Sequence, residues 1–254
     1  MDAAPEHRAG YDARRVGTLY LIRHGQASYG QADYDRLSSR GEQQARAVGQ
    51  WLATRGISGL FTGPHRRQVQ TGAFAIEGAQ AAGATLPAPH ELLELSEYPA
   101  FEMLQHLVPR LVAEDPKFEA LKTAPTPRLL DEAFHTILSK WASDEWVVDG
   151  VERVSEFVAR VRAGLTRVLA SAASGAKLAC VTSAGPIGVA VGLTFGIPEA
   201  RMVRTSIVIR NASITELRFR TQDFTRHAAW KPEQVSLVTF NVTAHLPDEL
   251  HSER

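Results

Sequence analysis

The chain has 254 residues, with 28 Lys and Arg against 28 Asp and Glu, 44% hydrophobic residues and one cysteine. That length suits one large domain or two small ones, and a formal net charge of zero argues against a dedicated nucleic-acid binder, which carries a basic excess. The lone Cys180 excludes an intramolecular disulfide framework and offers too little sulfur for a structural zinc site, so a reducing, cytoplasmic setting is expected.

Residues 1–16 mix acidic and basic side chains without an apolar stretch, so they are expected as a disordered polar tail and not a secretory signal. Thr18-Leu-Tyr-Leu-Ile22 predicts a strand that stops at Arg23-His24-Gly25. Ser39 and Glu42 are spaced as a capping box, and Ala45, Val48 and Leu52 recur on one face before Gly56, predicting a helix over 39–55. A second strand is expected at Gly59-Leu-Phe-Thr62, and Pro64 opens a helical stretch toward Ala79.

Residues 99–145 break this alternation. Phe101, Leu104, Leu107, Val108 and Leu111 mark one helix and Ala133, Phe134, Ile137, Leu138 and Trp141 another, with Pro116, Pro125 and Pro127 between them. The stretch reads as a helical insertion over one side of a sheet, a candidate lid or substrate wall.

Val154, Phe157, Val158, Val161, Leu165, Val168 and Leu169 then line one face of a helix over 151–171. Lys177–Thr182 reads as a strand in which Cys180 is a small buried residue rather than a nucleophile. Pro186 to Phe195 reads as a helix, and the runs Ser206–Arg210, Ser213–Arg218 and Val235–Phe240 as strands. Leu178 to Ile197 carries no charge over twenty residues, but Gly185 and Pro186 break it into strand and helix, against a transmembrane span. The expected fold class is α/β: a three-layer α/β/α sandwich with a largely parallel central sheet, one domain over 17–246, and a C-terminal tail over 247–254.

The chemistry gathers at strand ends, where α/β proteins place ligands. Arg23-His24-Gly25 follows one strand, and Thr62-Gly-Pro-His-Arg-Arg-Gln-Val-Gln-Thr71 brings His65, Arg66 and Arg67 from another. Guanidinium forks converging on an imidazole suit a phosphoryl group, whose oxygens they bind while histidine acts as nucleophile.

Leu21-Ile-Arg-His-Gly25, Leu37-Ser-Ser-Arg-Gly-Glu-Gln-Gln-Ala45, Arg67-Gln-Val-Gln-Thr71 and Leu92-Leu-Glu-Leu95 occur in that order. Together they resemble the histidine phosphatase superfamily, also called phosphoglycerate-mutase-like, over about residues 18–246. The resemblance implies a phosphate monoester hydrolase that forms a phosphohistidine at His24, with Glu94 as general acid and Arg23, Arg67 and Ser183 binding phosphate. It implies no metal and no other cofactor. Register on Gln70-Thr71 favours Arg67 over Arg66, and Gln26, Ser28 and His65 are further pocket candidates. The expected partner is a small phosphorylated substrate or inorganic phosphate, with no nucleic acid and no membrane; exposed apolar positions in the insertion would fit a homodimer.

One position departs from the resemblance. Val181-Thr-Ser-Ala-Gly-Pro-Ile187 places Ser183 where the superfamily usually has a second histidine. A serine hydroxyl carries no positive charge, and losing a charged hydrogen bond costs a few kcal/mol, about two to three orders of magnitude in rate. The element is similar to a bacterial branch with a Thr-Ser-Gly-Gly-Pro-Ile-like sequence and a terminal Phe-Asn-x-x-x-His-Leu element, here Phe240-Asn-Val-Thr-Ala-His-Leu246. Two rivals stand beside the hydrolase: a phosphoglycerate-mutase-type phosphotransferase, and an impaired phosphatase retained as a phosphate-ligand binding or regulatory protein. His90 reads as a solvent-facing loop residue and His245 as a packing residue.

Overall fold

The computed structural model describes residues 16–28, 35–226 and 230–252. The strands are β1 Val16–Arg23, β2 Gly59–Thr62, β3 Pro89–Glu91, β4 Lys177–Thr182, β5 Ile214–Arg220 and β6 Val235–Val242. They form one sheet in the order β3-β2-β4-β1-β5-β6. The first four run parallel, and β5 and β6 are antiparallel additions on one side. The helices are α1 Ser39–Ala53, α2 Arg66–Ala81, α3 Ala100–Glu114, α4 Pro127–Ala142, α5 Val154–Ala170, α6 Ala184–Phe195, α7 Glu199–Thr205 and α8 Thr221–Arg226.

Alternate strand side chains enter opposite cores, as the period of two requires. Leu19, Leu21, Phe61, Leu178 and Cys180 join α3, α4, α5 and α6 in the larger core. Tyr20, Ile22, Leu60, Ala179 and Val181 meet α1 and α2 in the smaller one. Helices therefore cover both faces of a largely parallel sheet, the three-layer arrangement expected from the pattern. The uncharged stretch is β4 followed by α6, and no helix among the described residues is long and apolar enough to cross a membrane. Burial pushes the Cys180 thiol up to about 12, which leaves it an inert core residue.

The helical insertion comprises α3, a 3-10 stretch over Pro116–Leu121, and α4. Its apolar stripes, among them Met103, Leu107, Ile137 and Trp141, are buried in the larger core.

Other expectations shift. The cap of α1 is Ser38, whose hydroxyl accepts the Gly41 N–H at 3.1 Å, one residue before the expected Ser39. The run Ser206–Arg210 is not a strand: α7 ends at Thr205, a 3-10 turn over Ser206–Val208 follows, and Ile207 and Val208 are exposed. β1 is flanked by β4 and β5, and this run pairs with neither. His90 is exposed as expected but lies on the short edge strand β3, its ring 5.7 Å from that of Phe61. The tail expected over 1–16 falls outside the described residues up to residue 15, and Val16 already belongs to β1. The segment 247–252 is docked rather than free: Gln44 Nε2 donates to the Leu250 carbonyl at 2.6 Å, and the Asn211 N–H donates to the Ser252 carbonyl at 3.2 Å. Residues 253 and 254 lie outside the described residues.

Candidate active site

Parallel strands end on the same side of a sheet, and here three chain exits meet. Arg23 pairs with Thr182, and Thr62 with Val181, so His24, the Gly63–His65 turn and Ser183 all leave the same edge. The loop after β1 lies so close to α1 that a Cβ on Gly25 would collide with the Gly41 carbonyl, and one on Gly41 with the Gln26 carbonyl. Both positions therefore require glycine. The Gly25 N–H donates to Thr71 Oγ1 at 3.0 Å, and that hydroxyl donates to the Arg67 carbonyl at 2.7 Å. Thr71 thus ties the histidine loop to the helix that carries Arg67.

His24 is 5% exposed. Its Nδ1 lies 2.8 Å from the Gly25 carbonyl, and its Nε2 lies 3.1 Å from the Arg67 Nε–H donor. A carbonyl only accepts and a guanidinium only donates, so this pairing assigns the ring proton to Nδ1 and the lone pair to Nε2. Burial first, then the charges of Arg67 and Arg23, hold the His24 pKa well below the usual imidazole value. Arg67 is itself buried and pairs through Nη1 with Asp35, whose second oxygen accepts the Arg66 N–H at 2.8 Å. Arg23 donates through Nη1 to the Ile209 carbonyl. The structure thus brings His24, Arg23 and Arg67 together.

Glu94 is not brought to this group. Its carboxylate pairs with Arg167 on α5, and its own N–H and that arginine hold its pKa below the ordinary value, the wrong direction for a proton donor. The carboxylate that faces the arginines is Glu97. Glu97 Oε1 accepts the Gly185 N–H at 3.1 Å at the start of α6 and the Tyr98 N–H at 3.1 Å. Burial raises its pKa, against the lowering pull of Arg67, these N–H groups and Arg23. The missed signal is a repeated spacing: Leu92-x-Glu94 is followed at once by Leu95-x-Glu97. Only the second puts its carboxylate on the α6 side of the 3-10 turn Leu93–Leu95.

Ser183 is fully buried and its hydroxyl oxygen accepts Gln68 Nε2 at 2.8 Å. It braces α2 against α6, and the anion seat at the α6 N-terminus is filled by Glu97 instead. The hydroxyl expected to bind phosphate is thus engaged with Gln68. His65 does lie in the site: its Nε2 accepts the Glu97 N–H at 3.2 Å, and it stands near enough to His24 for protonation of one ring to oppose that of the other. Gln26 serves as framework, its N–H donating to Gln44 Oε1 at 2.8 Å and its side-chain oxygen accepting the Ser38 hydroxyl at 3.0 Å. The Ser28 N–H donates to the Arg36 carbonyl at 2.7 Å.

Solved structures align along almost the whole chain. Mycobacterial glucosyl-3-phosphoglycerate phosphatase in complex with inorganic phosphate is 21% identical, covers 91% of this chain and 99% of its own, and gives a TM-score of 0.61. A phosphoserine phosphatase mutant from Entamoeba histolytica in complex with phosphoserine is 19% identical, with 91% and 100% coverage and a TM-score of 0.57. Phosphoglycerate mutase from Bacillus anthracis is 15% identical, with 91% and 95% coverage and a TM-score of 0.59. These likenesses establish the fold. Comparison with curated proteins gives no match. The family described as Histidine phosphatase superfamily (branch 1) matches residues 19–105 and 116–230. The chain belongs to the histidine phosphatase superfamily.

Proposed function

We propose that this protein hydrolyses a small phosphate monoester through a phosphohistidine on His24, with Glu97 as the proton donor. The observation that carries the reading is the state of His24: buried, neutral, its Nδ1 proton held by the Gly25 carbonyl and its Nε2 lone pair directed at Arg67. An uncharged imidazole flanked by two guanidinium groups is prepared to attack an anionic phosphorus centre.

In the first displacement, Nε2 forms a bond to phosphorus as the bond to the alcohol oxygen breaks. The electron pair of that bond passes to the oxygen, which takes the proton of Glu97. In the second, water attacks the phosphorus, the Glu97 carboxylate accepts a water proton, and the N–P electron pair returns to Nε2. Arg23 and Arg67 offset the charge on the phosphoryl oxygens throughout. Glu97 now occupies the Gly185 N–H at the N-terminus of α6, a natural anion seat; an arriving phosphate oxygen would take that N–H. The added negative charge raises the Glu97 pKa further, the direction an acid requires.

The test is rapid quenching with radiolabelled phenyl phosphate. Label should be retained on the wild-type chain and lost in His24→Ala, while Glu97→Gln lowers kcat/KM by about 10²–10⁴-fold. Glu94→Gln, which breaks only a surface pair, should stay within about threefold of wild type. Turnover that survives His24→Ala would overturn the reading. Phosphate binding without any labelled enzyme would indicate a binding protein, and passage of the label to a second alcohol in place of water would indicate a phosphotransferase.

A further inference from the structure

The turn that presents Glu97 is held from outside by side chains of three elements. The Arg160 Nη1 on α5 donates to the Glu94 carbonyl at 2.9 Å and the Ser96 carbonyl at 3.2 Å. Arg160 is itself fixed by Glu152 through two hydrogen bonds of 2.7 and 2.8 Å. Thr182 Oγ1 at the end of β4 donates to the Leu95 carbonyl at 2.7 Å. The Glu97 N–H donates to His65 Nε2 at 3.2 Å. Arginine and threonine, with Gln68 Nε2 at 3.4 Å from the Leu95 carbonyl, thus donate to the carbonyls, and His65 supplies the acceptor for the Glu97 N–H.

We propose that His65 is a positioning residue for Glu97, holding the acid by its main-chain N–H while its carboxyl group changes partners. The role rests on the reading of Glu97 as proton donor. At rest, the carboxyl group accepts the Gly185 N–H. Once a phosphate oxygen takes that N–H, the side chain loses this tether just when it must reach the leaving oxygen. The bond from Glu97 N–H to His65 is made by the backbone and does not change during the reaction. Misplacement of a reacting group by about 1 Å can cost on the order of a hundredfold in rate.

The placement of His65 fits this duty. It is the N-cap of α2, in extended conformation, so its ring leaves the helix end and reaches the turn. Its backbone is immobilised on both sides: the N–H donates to Gln68 Oε1 at 3.0 Å, and the carbonyl accepts the Gln68 and Val69 N–H groups at 2.8 and 3.0 Å. The same helix carries Arg67, so His65 registers the acid against the phosphate ligand. Only a neutral ring can accept the bond, because imidazolium would oppose one N–H with another. The groups facing it are Arg67, Asp35, Arg160, Glu102 and His24, and burial first, followed by Arg67, keeps its pKa below the ordinary value.

The test uses the full chain and two aryl esters, p-nitrophenyl phosphate, whose leaving group needs little protonation, and phenyl phosphate, whose leaving group needs more. The quantity read is the ratio of their kcat/KM values, which reports transfer to His24. Glu97→Gln should raise the preference for the activated ester by about a hundredfold. His65→Leu, which lacks the acceptor, should raise it by about tenfold with little change in KM, as a partial loss of the same effect. His65→Gln offers an amide oxygen at similar reach and should return the ratio to within about threefold of wild type. Equal losses on both esters in His65→Leu, or no rescue by glutamine, would overturn the role of His65. A wild-type ratio in Glu97→Gln would overturn the acid assignment itself and the role of His65 with it.

Discussion

A buried imidazole loses affinity for its proton, and His245 carries that effect where it can be read as stability. It packs against Trp51, with ring centroids 6.1 Å apart, and burial lowers its pKa to about 4. The unfolded chain binds that proton near the ordinary value of about 6.5. Between these two values the unfolded state is the more protonated, so stability contributed by neutral His245 is full above about 6.5 and is lost as pH falls toward about 4. His245→Phe keeps an aromatic ring and removes the titration. Denaturant unfolding of the two proteins at pH 7 and 4.5 should show wild type losing on the order of 2 kcal/mol more than the variant. Equal losses would mean that His245 stays solvated. His245 was legible as a packing residue, whereas the different settings of Glu94 and Glu97 were not. Both follow a leucine at the same spacing, and the difference lies in partners distant in sequence, Arg167 for one and Gly185 for the other. His24, Arg23 and Arg67 were legible because their motifs are local and end strands whose apolar runs are unmistakable.

Among the elements, α1 and α2 show how a clear helical pattern can hide its tightest contact. Periodicity placed both helices, but it assigns glycine only a cost in a helix interior. In the structure a Cβ on Gly49 would collide with the Ala75 carbonyl, and one on Gly78 with the Arg46 carbonyl. Each glycine therefore lets the partner backbone approach, and the two contacts together set the spacing of the helices. Gly49→Ala gains helix propensity of about 1 kcal/mol but forces the backbones apart, at a cost of about 3 kcal/mol. The net expectation is a Tm lower by about 4–8 °C, where Gln50→Ala on the exposed face of α1 should be nearly neutral. A Gly49→Ala protein as stable as wild type would show that the helices slide without penalty. The elements the sequence did not yield have equally physical causes. The edge strand β3 spans three exposed residues with no apolar alternation, and Ser206–Val208 has apolar residues in a strand-like run that continues from α7 as a 3-10 turn.

At the scale of the whole molecule, the chain's last described residues support its first strand. Gln44 and Asn211 are almost wholly buried, at 0% and 1% exposure, and each holds the histidine loop from one side. Gln44 Oε1 accepts the Gln26 N–H at 2.8 Å, and Asn211 Nδ2 donates to the His24 carbonyl at 3.4 Å. Their outer ends meet on the same segment: Gln44 Nε2 donates to the Leu250 carbonyl at 2.6 Å and to Ser252 Oγ at 2.9 Å, and that hydroxyl donates to Asn211 Oδ1 at 2.9 Å. The segment looked like a tail in sequence because it is polar and lacks periodicity. It docks mainly through hydrogen bonds, which leave no hydrophobic pattern. Deleting residues 249–254 would free both amide side chains from these partners, each loss worth about 1–3 kcal/mol where burial persists. Water can enter from the outside and recover part of that loss, so the fold should survive with a Tm only a few degrees lower. The orientation of the amides is harder to recover, and a loss of about 1.4 kcal/mol in the alignment of His24 is a tenfold loss of rate. The truncated chain should therefore hydrolyse phenyl phosphate with kcat/KM lower by about tenfold, out of proportion to its change in Tm. An unaltered rate would show that Gln44 and Asn211 hold the loop without help from the C-terminal segment.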